Sequence, residues 1–124
     1  RIAAAADPGS AMAALEEAEA AVSGALETCL GCRITLAVPA AIAAARFGDL
    51  ERASSYEAVV EKLTSLHMRQ PGWYAALDEV RGHRASASGD RAAGGHFAAA
   101  AAGFRQAGQP LDAERCDRWA ATLA

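Results

Sequence analysis

Alanine occupies 35 of the 124 positions, and this content restricts the fold of the chain more than any other feature. Alanine has the highest intrinsic helix propensity, whereas residues that favour strands are scarce: three are isoleucine, and aromatic residues make up 6%. The chain also lacks a run of about 18 apolar residues other than alanine, so a membrane span is not expected. We therefore predict one small all-α domain that does not enter a membrane.

Proline, glycine and aspartate divide the chain into about six predicted helices. The first runs from Asp7 to Glu27, because Asp7-Pro8 can cap it and apolar residues then recur every three or four positions. The second covers 32–47 and is predicted to be kinked at Pro39 or to begin there. Residues 34–38 alone also fit a strand, but a single strand without a partner is unfavourable. The remaining helices are predicted at 50–66, 73–87, 90–104 and 111–123.

Two Gly-Asp pairs, at 48–49 and 89–90, indicate an internal repeat with an offset of 41 residues. Each copy is predicted to be a helix, a tight turn with glycine in the left-handed conformation, and a second helix capped by aspartate. The offset also aligns residues of similar size: Leu36 with Leu77, Tyr56 with Phe97, Ala58 with Ala99, and Leu63 with Phe104. Such a repeat is typical of stacked helical hairpins, and the alternative is a helical bundle without repeats.

The second helix of each copy has a small residue (Ala53, Gly94) and then an aromatic one (Tyr56, Phe97) after its Gly-Asp turn. With residues 43–53 and 107–116, this pattern resembles tetratricopeptide repeats, in particular the lengthened repeats of large ATP-dependent LuxR-type bacterial transcription regulators. The resemblance implies an α-solenoid fragment with a leading helix at 1–27, hairpins at 28–70 and 71–108, and a closing helix at 109–124. It also implies a cytoplasmic bacterial parent protein, and a close approach of two helix backbones at Gly94.

The same register predicts a concave face formed by the first helix of each hairpin. A mixed face of this kind suits a peptide or a partner helix, with Arg46 or His83 pairing with a carboxylate. The alternative is that these residues cover the next hairpin of a longer protein. The predicted partner-binding residues are Thr35, Val38, Ile42 and Arg46 from the first copy, and Glu79, His83 and Ser86 from the second.

We therefore predict a non-catalytic protein–protein interaction or scaffolding module. Its partner would be a protein, a peptide or a neighbouring domain of the same parent chain, and exposed apolar ends would favour self-association of the fragment. The net charge of −3 argues against a nucleic-acid-binding surface. The common sequence motifs of nucleophilic, zinc-protease and nucleotide sites are absent, so we predict no enzymatic activity.

Cys29 and Cys32 form a C-x-x-C pair that supports a different prediction, a small helical domain that senses metal or redox state. A zinc site needs two further ligands, and neither Cys116 nor the three histidines form a second closely spaced pair. We therefore predict no bound metal or other cofactor. The structural alternative is that the two cysteines are small buried side chains at a turn, or an adventitious disulfide.

Overall fold

The computed structural model describes residues 2, 5–22 and 29–123, and this part of the chain is all-α. It contains six helices: α1 (Pro8–Val22), α2 (Leu30–Phe47), α3 (Leu50–Leu66), α4 (Pro71–Ala87), α5 (Ala93–Gln106) and α6 (Pro110–Thr122). Each helix packs mainly against the next one along the chain in hairpin-like contacts, and α2 also packs against α4. The prediction of an all-α chain with about six helices is therefore confirmed for the described residues.

The core consists largely of alanine, which lets the helices approach closely. Ala44, Ala45 and Ala53 form a cluster between α2 and α3. A larger cluster joins α4, α5 and α6, where alanines pack around Phe104 and Cys116. Because so many core residues are small, a few large buried side chains fill the remaining space, among them Leu15, Ile34, Val60, Val80 and Phe97.

Helix α1 begins as predicted. The Asp7 carboxylate accepts hydrogen bonds from the backbone N–H of Ser10 (2.8 Å) and from the Ser10 hydroxyl (2.7 Å), and Pro8 occupies the first helical position. The predicted continuation through 23–27 lies outside the described residues.

Helix α2 includes residues 34–38, so the strand alternative is wrong. It begins at Leu30, nine residues before Pro39, so the prediction that the helix begins at Pro39 is also wrong. Within the described part of the chain, α2 is the one helix long and apolar enough to cross a membrane by length and composition. A core helix passes the same test, and seven residues of α2 are buried in this fold.

The two Gly-Asp turns have similar glycine geometry but different aspartate contacts. Gly48 and Gly89 both adopt positive φ angles, 97° and 73°, which end α2 and α4 in the way predicted. Asp49 then caps α3 by accepting a hydrogen bond from the Arg52 N–H at 3.0 Å. Asp90 instead accepts from Ala92, only two residues on, at 2.9 Å. Helix α5 therefore begins at Ala93, and its predicted start at residue 90 is wrong.

The glycine that permits close helix packing is not the one predicted. A Cβ atom at Gly94 would meet nothing within 4 Å, so this glycine does not mark a close backbone approach. A Cβ atom at Gly103 would lie 2.9 Å from the Ala75 Cβ, and one at Gly82 would lie 2.8 Å from the Phe97 ring. The close approach of α4 and α5 thus depends on Gly82 and Gly103.

Candidate functional site

Alternate helices of the fold line one groove with a volume of about 290 Å³. Helices α2, α4 and α6 supply most of its wall, α1 adds Ala11, and α3 and α5 contribute no residue. Of the seven residues predicted to bind a partner, the structure brings five together here: Val38, Ile42, Arg46, Glu79 and His83. We refer to this cavity as the α2–α4–α6 groove.

The other two predicted residues lie outside the groove. Thr35 is exposed, and its hydroxyl donates to the backbone carbonyls of Gly31 (2.8 Å) and Cys32 (3.1 Å) on its own helix. Ser86 is exposed and lines a neighbouring depression, which Arg46 and His83 also line. The Thr35 hydroxyl is therefore hydrogen-bonded within its own helix, whereas Ser86 lies next to the Arg46 end of the groove.

Sequence reasoning missed the contribution of α6, which supplies Asp112, Arg115 and Trp119 to the groove. These residues are spaced by three and four positions, so they share one face of a helix. This spacing in the sequence indicates that the three side chains lie on a common helix face. The repeat does not predict it, because α6 has no counterpart within the two copies.

An ion pair between the buried Glu79 of α4 and the partly exposed Arg115 of α6 lines one end of the groove. The Arg115 guanidinium donates to both carboxylate oxygens of Glu79, with Nε–Oε1 and Nη2–Oε2 distances of 2.7 Å, and to Asp112 Oδ1 at 2.5 Å. Glu79 is only 2% exposed. Hydrogen bonding to Glu79 raises the pKa of Arg115 above its ordinary value. Arg115 therefore donates hydrogen bonds to the carboxylates of both Glu79 and Asp112.

His83 lies in the groove as a neutral imidazole. Burial lowers its pKa to about 3, and the nearby charges of Arg46 and Arg115 act in the same direction. The ring makes edge-on contacts with Phe97 (4.9 Å between centroids) and Trp119 (4.8 Å). His83 is 4% exposed, and its imidazole forms no hydrogen bond with any group in the described part of the chain. Its single N–H donor is thus available to a ligand.

Arg46 is the second guanidinium of the groove, on α2. Its guanidinium lies over the Trp119 ring, 5.4 Å from the centroid, an arrangement that holds it through a cation–π interaction. Among the residues that the structure describes, no carboxylate lies within 4.0 Å of this guanidinium. Asp7 senses the charge of Arg46, but the hydrogen bonds to Ser10 make the larger contribution to its lowered pKa.

The C-x-x-C pair lies at the opposite end of α2 from Arg46. Cys29 and Cys32 form a disulfide, and Cys29 Sγ accepts a hydrogen bond from the Cys32 N–H at 3.1 Å at the N-terminus of the helix. Cys32 is exposed, so the alternative of two buried side chains is wrong. Cys116, by contrast, is fully buried, and burial raises the pKa of its thiol to about 12.

The structure brings no group of three His, Cys, Asp or Glu side chains into a metal-binding arrangement within residues 5–22 and 29–123. The groove instead offers the Arg46 guanidinium, which has no carboxylate partner among the described residues, together with a neutral imidazole and apolar walls. These are the groups that recognise a carboxylate attached to an apolar body.

Comparison of the chain with protein-family models, with curated proteins and with solved structures finds no match in any of the three. The function therefore has to be argued from the groove and its chemistry.

Proposed function

We propose that the chain is a non-catalytic protein-interaction module whose α2–α4–α6 groove receives a segment of a partner protein. The segment would carry apolar side chains and one carboxylate. The observation that supports this most strongly is the convergence of Val38, Ile42, Arg46, Glu79 and His83 on one groove built from alternate helices.

Charge and burial support the same partner chemistry. Val38 and Ile42 supply apolar surface, which favours an apolar segment. Glu79 is already neutralised by Arg115, whereas Arg46 has no carboxylate partner in the described structure. An acidic side chain on the partner would supply that missing charge through a bidentate hydrogen bond.

We further propose, on the sequence resemblance alone, that the module belongs to a tetratricopeptide-like region of a LuxR-type transcription regulator in the bacterial cytoplasm. The partner would then be a separate protein or a neighbouring domain of the same parent. A helix-turn-helix domain encoded downstream in the same reading frame is the expected finding. A gene that encodes a different architecture would contradict this parent but not the groove.

The interaction is tested by selecting 12-residue peptides from a random phage library on the immobilised chain and measuring their affinity by calorimetry. We expect the enriched peptides to combine apolar residues with Asp or Glu. Ile42→Lys should weaken their binding at least tenfold, because it places a charge on the apolar wall of the groove. Ala98→Lys, which adds the same charge on the exposed face of α5, is the matched control and should leave the affinity unchanged. Peptides that bind equally well to wild type and Ile42→Lys would contradict the proposal.

The disulfide supports a second candidate, a redox-sensing domain that uses Cys29 and Cys32. Disulfides are rare in reducing cytoplasm, so a pair that bridges there is typically one that opens and closes. Helix N-termini stabilise thiolates, and Cys32 is exposed to a thiol reagent. Opening the bridge with two molecules of glutathione would give two thiols and glutathione disulfide.

This candidate is tested in a Cys116→Ala background, so that only one cysteine pair remains. Thiol alkylation followed by mass spectrometry measures the bridged fraction in glutathione buffers of different redox ratio. A redox sensor should change its bridged fraction across the cytoplasmic range. A bridge that stays fully closed, or fully open, across that range would contradict the candidate.

A further inference from the structure

The Arg46 end of the groove has the properties of a small-molecule site as well as those of a peptide groove. The whole groove has a volume of about 290 Å³, near the lower limit of small-ligand pockets, for which roughly 300 Å³ and above is typical. The available polar groups, Arg46 and His83, lie close to Trp119, while Val38 and Ile42 supply apolar surface.

We infer that this end of the groove binds a small apolar monocarboxylate that is not part of a protein. Its carboxylate forms an ion pair with Arg46 and accepts a hydrogen bond from the His83 N–H. This small acid competes with the partner segment for the groove. The competition rests on the proposed function, whereas the binding itself is a property of this chain alone. A guanidinium and a neutral N–H donor together satisfy both oxygens of one carboxylate.

The arrangement of Arg46 and His83 favours a small ligand because both groups are already held in place. Trp119 contacts the Arg46 guanidinium on one side and the His83 ring on another. Phe97 fixes the His83 ring from a further direction. Since neither side chain has to be ordered when the ligand binds, a molecule of few atoms loses little affinity to that cost.

The acidic end of the groove determines the orientation of the ligand and limits it to one carboxylate. Glu79 and Asp112 together carry one more negative charge than Arg115 neutralises. On α6, Asp112 precedes Trp119 by seven residues, which is roughly 10 Å along a helix axis. A second carboxylate at that end would meet like charge, so the tail of the ligand should be apolar and uncharged.

The binding experiment uses 4-methylpentanoate and its neutral amide, which differ only in the charged group, titrated into the 124-residue chain and followed by NMR. We expect the acid to bind at least tenfold more tightly than the amide and to shift the Trp119 indole and the Ile42 methyl signals. Arg46→Gln should lower the affinity for the acid at least tenfold and leave that for the amide unchanged.

Two further variants separate recognition from effects on folding. Arg33→Gln removes a charge from the same helix outside the groove and should leave the affinity for the acid unchanged. His83→Phe keeps an aromatic ring between Phe97 and Trp119 but removes the donor, and should weaken acid binding several-fold in a chain that remains folded by circular dichroism. Equal binding of acid and amide, no binding of the acid, or no effect of Arg46→Gln would overturn the inference.

A groove-selected peptide that contains a glutamate distinguishes failure of this inference from failure of the proposed function. We expect 4-methylpentanoate to displace the peptide from wild type. If the peptide binds and the acid does not, the small-molecule site is wrong and the protein-interaction module stands. If the acid binds with the expected dependence on Arg46 but no groove-dependent peptide is found, the site stands and the proposed partner is wrong.

Discussion

The hairpins α2–α3 and α4–α5 have the same outline but are packed in different ways. At the offset of 41 residues, Ala41 and Tyr56 of the first hairpin correspond to Gly82 and Phe97 of the second. Tyr56 is only partly buried, whereas Phe97 is fully buried against Gly82. The absence of a side chain at Gly82 thus lets the Phe97 ring pack directly against the backbone of α4 and become fully buried.

The same correspondence shows how equivalent positions differ in the groove. Val38 and Ile42 of the first hairpin occupy the positions that Glu79 and His83 occupy in the second. All four line the groove, so at these two positions the first hairpin supplies apolar side chains and the second supplies polar ones. Equivalent positions can therefore keep the same place in a fold while taking different chemical roles. Exchanging residues between equivalent positions tests this comparison directly.

The largest effect is expected for Glu79→Val, which gives the second hairpin the residue of the first. The change removes the two charge-assisted hydrogen bonds that the partly exposed Arg115 donates to the buried Glu79, and the loss of both costs about 3 kcal/mol. Urea denaturation measures the free energy of unfolding. Adding Arg115→Met to Glu79→Val should recover part of the loss, because the guanidinium that lacks its main partner is then gone and only the partly exposed Asp112 is left without its ion pair.

The control for that prediction is Glu61→Gln. Glu61 is exposed and pairs with Arg81 at 3.6 Å, so its replacement should cost less than about 1 kcal/mol. Similar losses for Glu79→Val and Glu61→Gln would show that the ion pair of the buried Glu79 contributes no more to stability than an exposed one.

The next largest effect concerns the feature that the two hairpins share. Gly48→Val and Gly89→Val each force a β-branched residue to a positive φ and should each cost about 2–3 kcal/mol. Ala58→Ser, on the exposed face of α3, should cost several times less. Thermal unfolding checks all three variants. An effect of either glycine variant no larger than that of Ala58→Ser would contradict the assignment of that turn.

The sequence was sufficient to predict features that depend on local chemistry. Gly48 and Gly89 end their helices because glycine alone adopts the left-handed conformation without strain. The groove residues on α2 and α4 were predictable because the repeat assigns the same face to both helices. Thr35 was placed on that face by the same argument, but it lies outside the groove, with its hydroxyl bonded to its own helix.

Features that depend on competing contacts or on tertiary packing were not predictable in this way. Asp90 matches Asp49 in sequence, yet its side chain bonds to Ala92, and α5 therefore begins later than the pattern suggests. The difference between Gly94 and Gly103 depends on which glycine faces another helix, and periodicity alone does not supply that information. The α6 wall was missed because α6 has no counterpart within the two copies.

A smaller loss is expected when the second hairpin receives the alanine of the first, in Gly82→Ala. The new Cβ would lie 2.8 Å from the ring of Phe97, which is fully buried and surrounded by His83 and Trp119. Overpacking of this kind costs about 2 kcal/mol. The reverse exchange, Ala41→Gly, should cost about 1 kcal/mol through helix propensity. A Gly82→Ala variant as stable as wild type would mean that the two hairpins pack alike.

The dependence of stability on pH distinguishes His83 from its counterpart Ile42. Burial lowers the pKa of His83 to about 3, whereas the unfolded chain takes up the proton near 6.5. Stability is therefore retained above about pH 6.5 and falls as the pH decreases toward 3, with a slope that approaches about 1.4 kcal/mol per unit. His83→Ile should remove this slope between pH 6 and 4.5, and His67→Gln at the exposed end of α3 should not. If the slope persists in His83→Ile, groups other than His83 cause the pH dependence of stability.

The smallest effect has the opposite sign, because Gly94→Ala should stabilise the chain. Alanine is the residue at the equivalent position of the first hairpin, Ala53, and a Cβ at Gly94 meets no atom within 4 Å. Replacing glycine in a helix without strain reduces the entropy of the unfolded chain, and the expected gain is about 0.5 kcal/mol. Gly103→Ala introduces the same methyl group into the contact with Ala75, 2.9 Å from its Cβ, and should cost about 1 kcal/mol instead. Both variants make the same substitution in α5. A difference in sign between the changes that they cause in the unfolding free energy therefore reports the packing of α4 against α5 and not the helix propensity of alanine. Two gains of equal size would show that the helices are further apart than the contact at Gly103 requires.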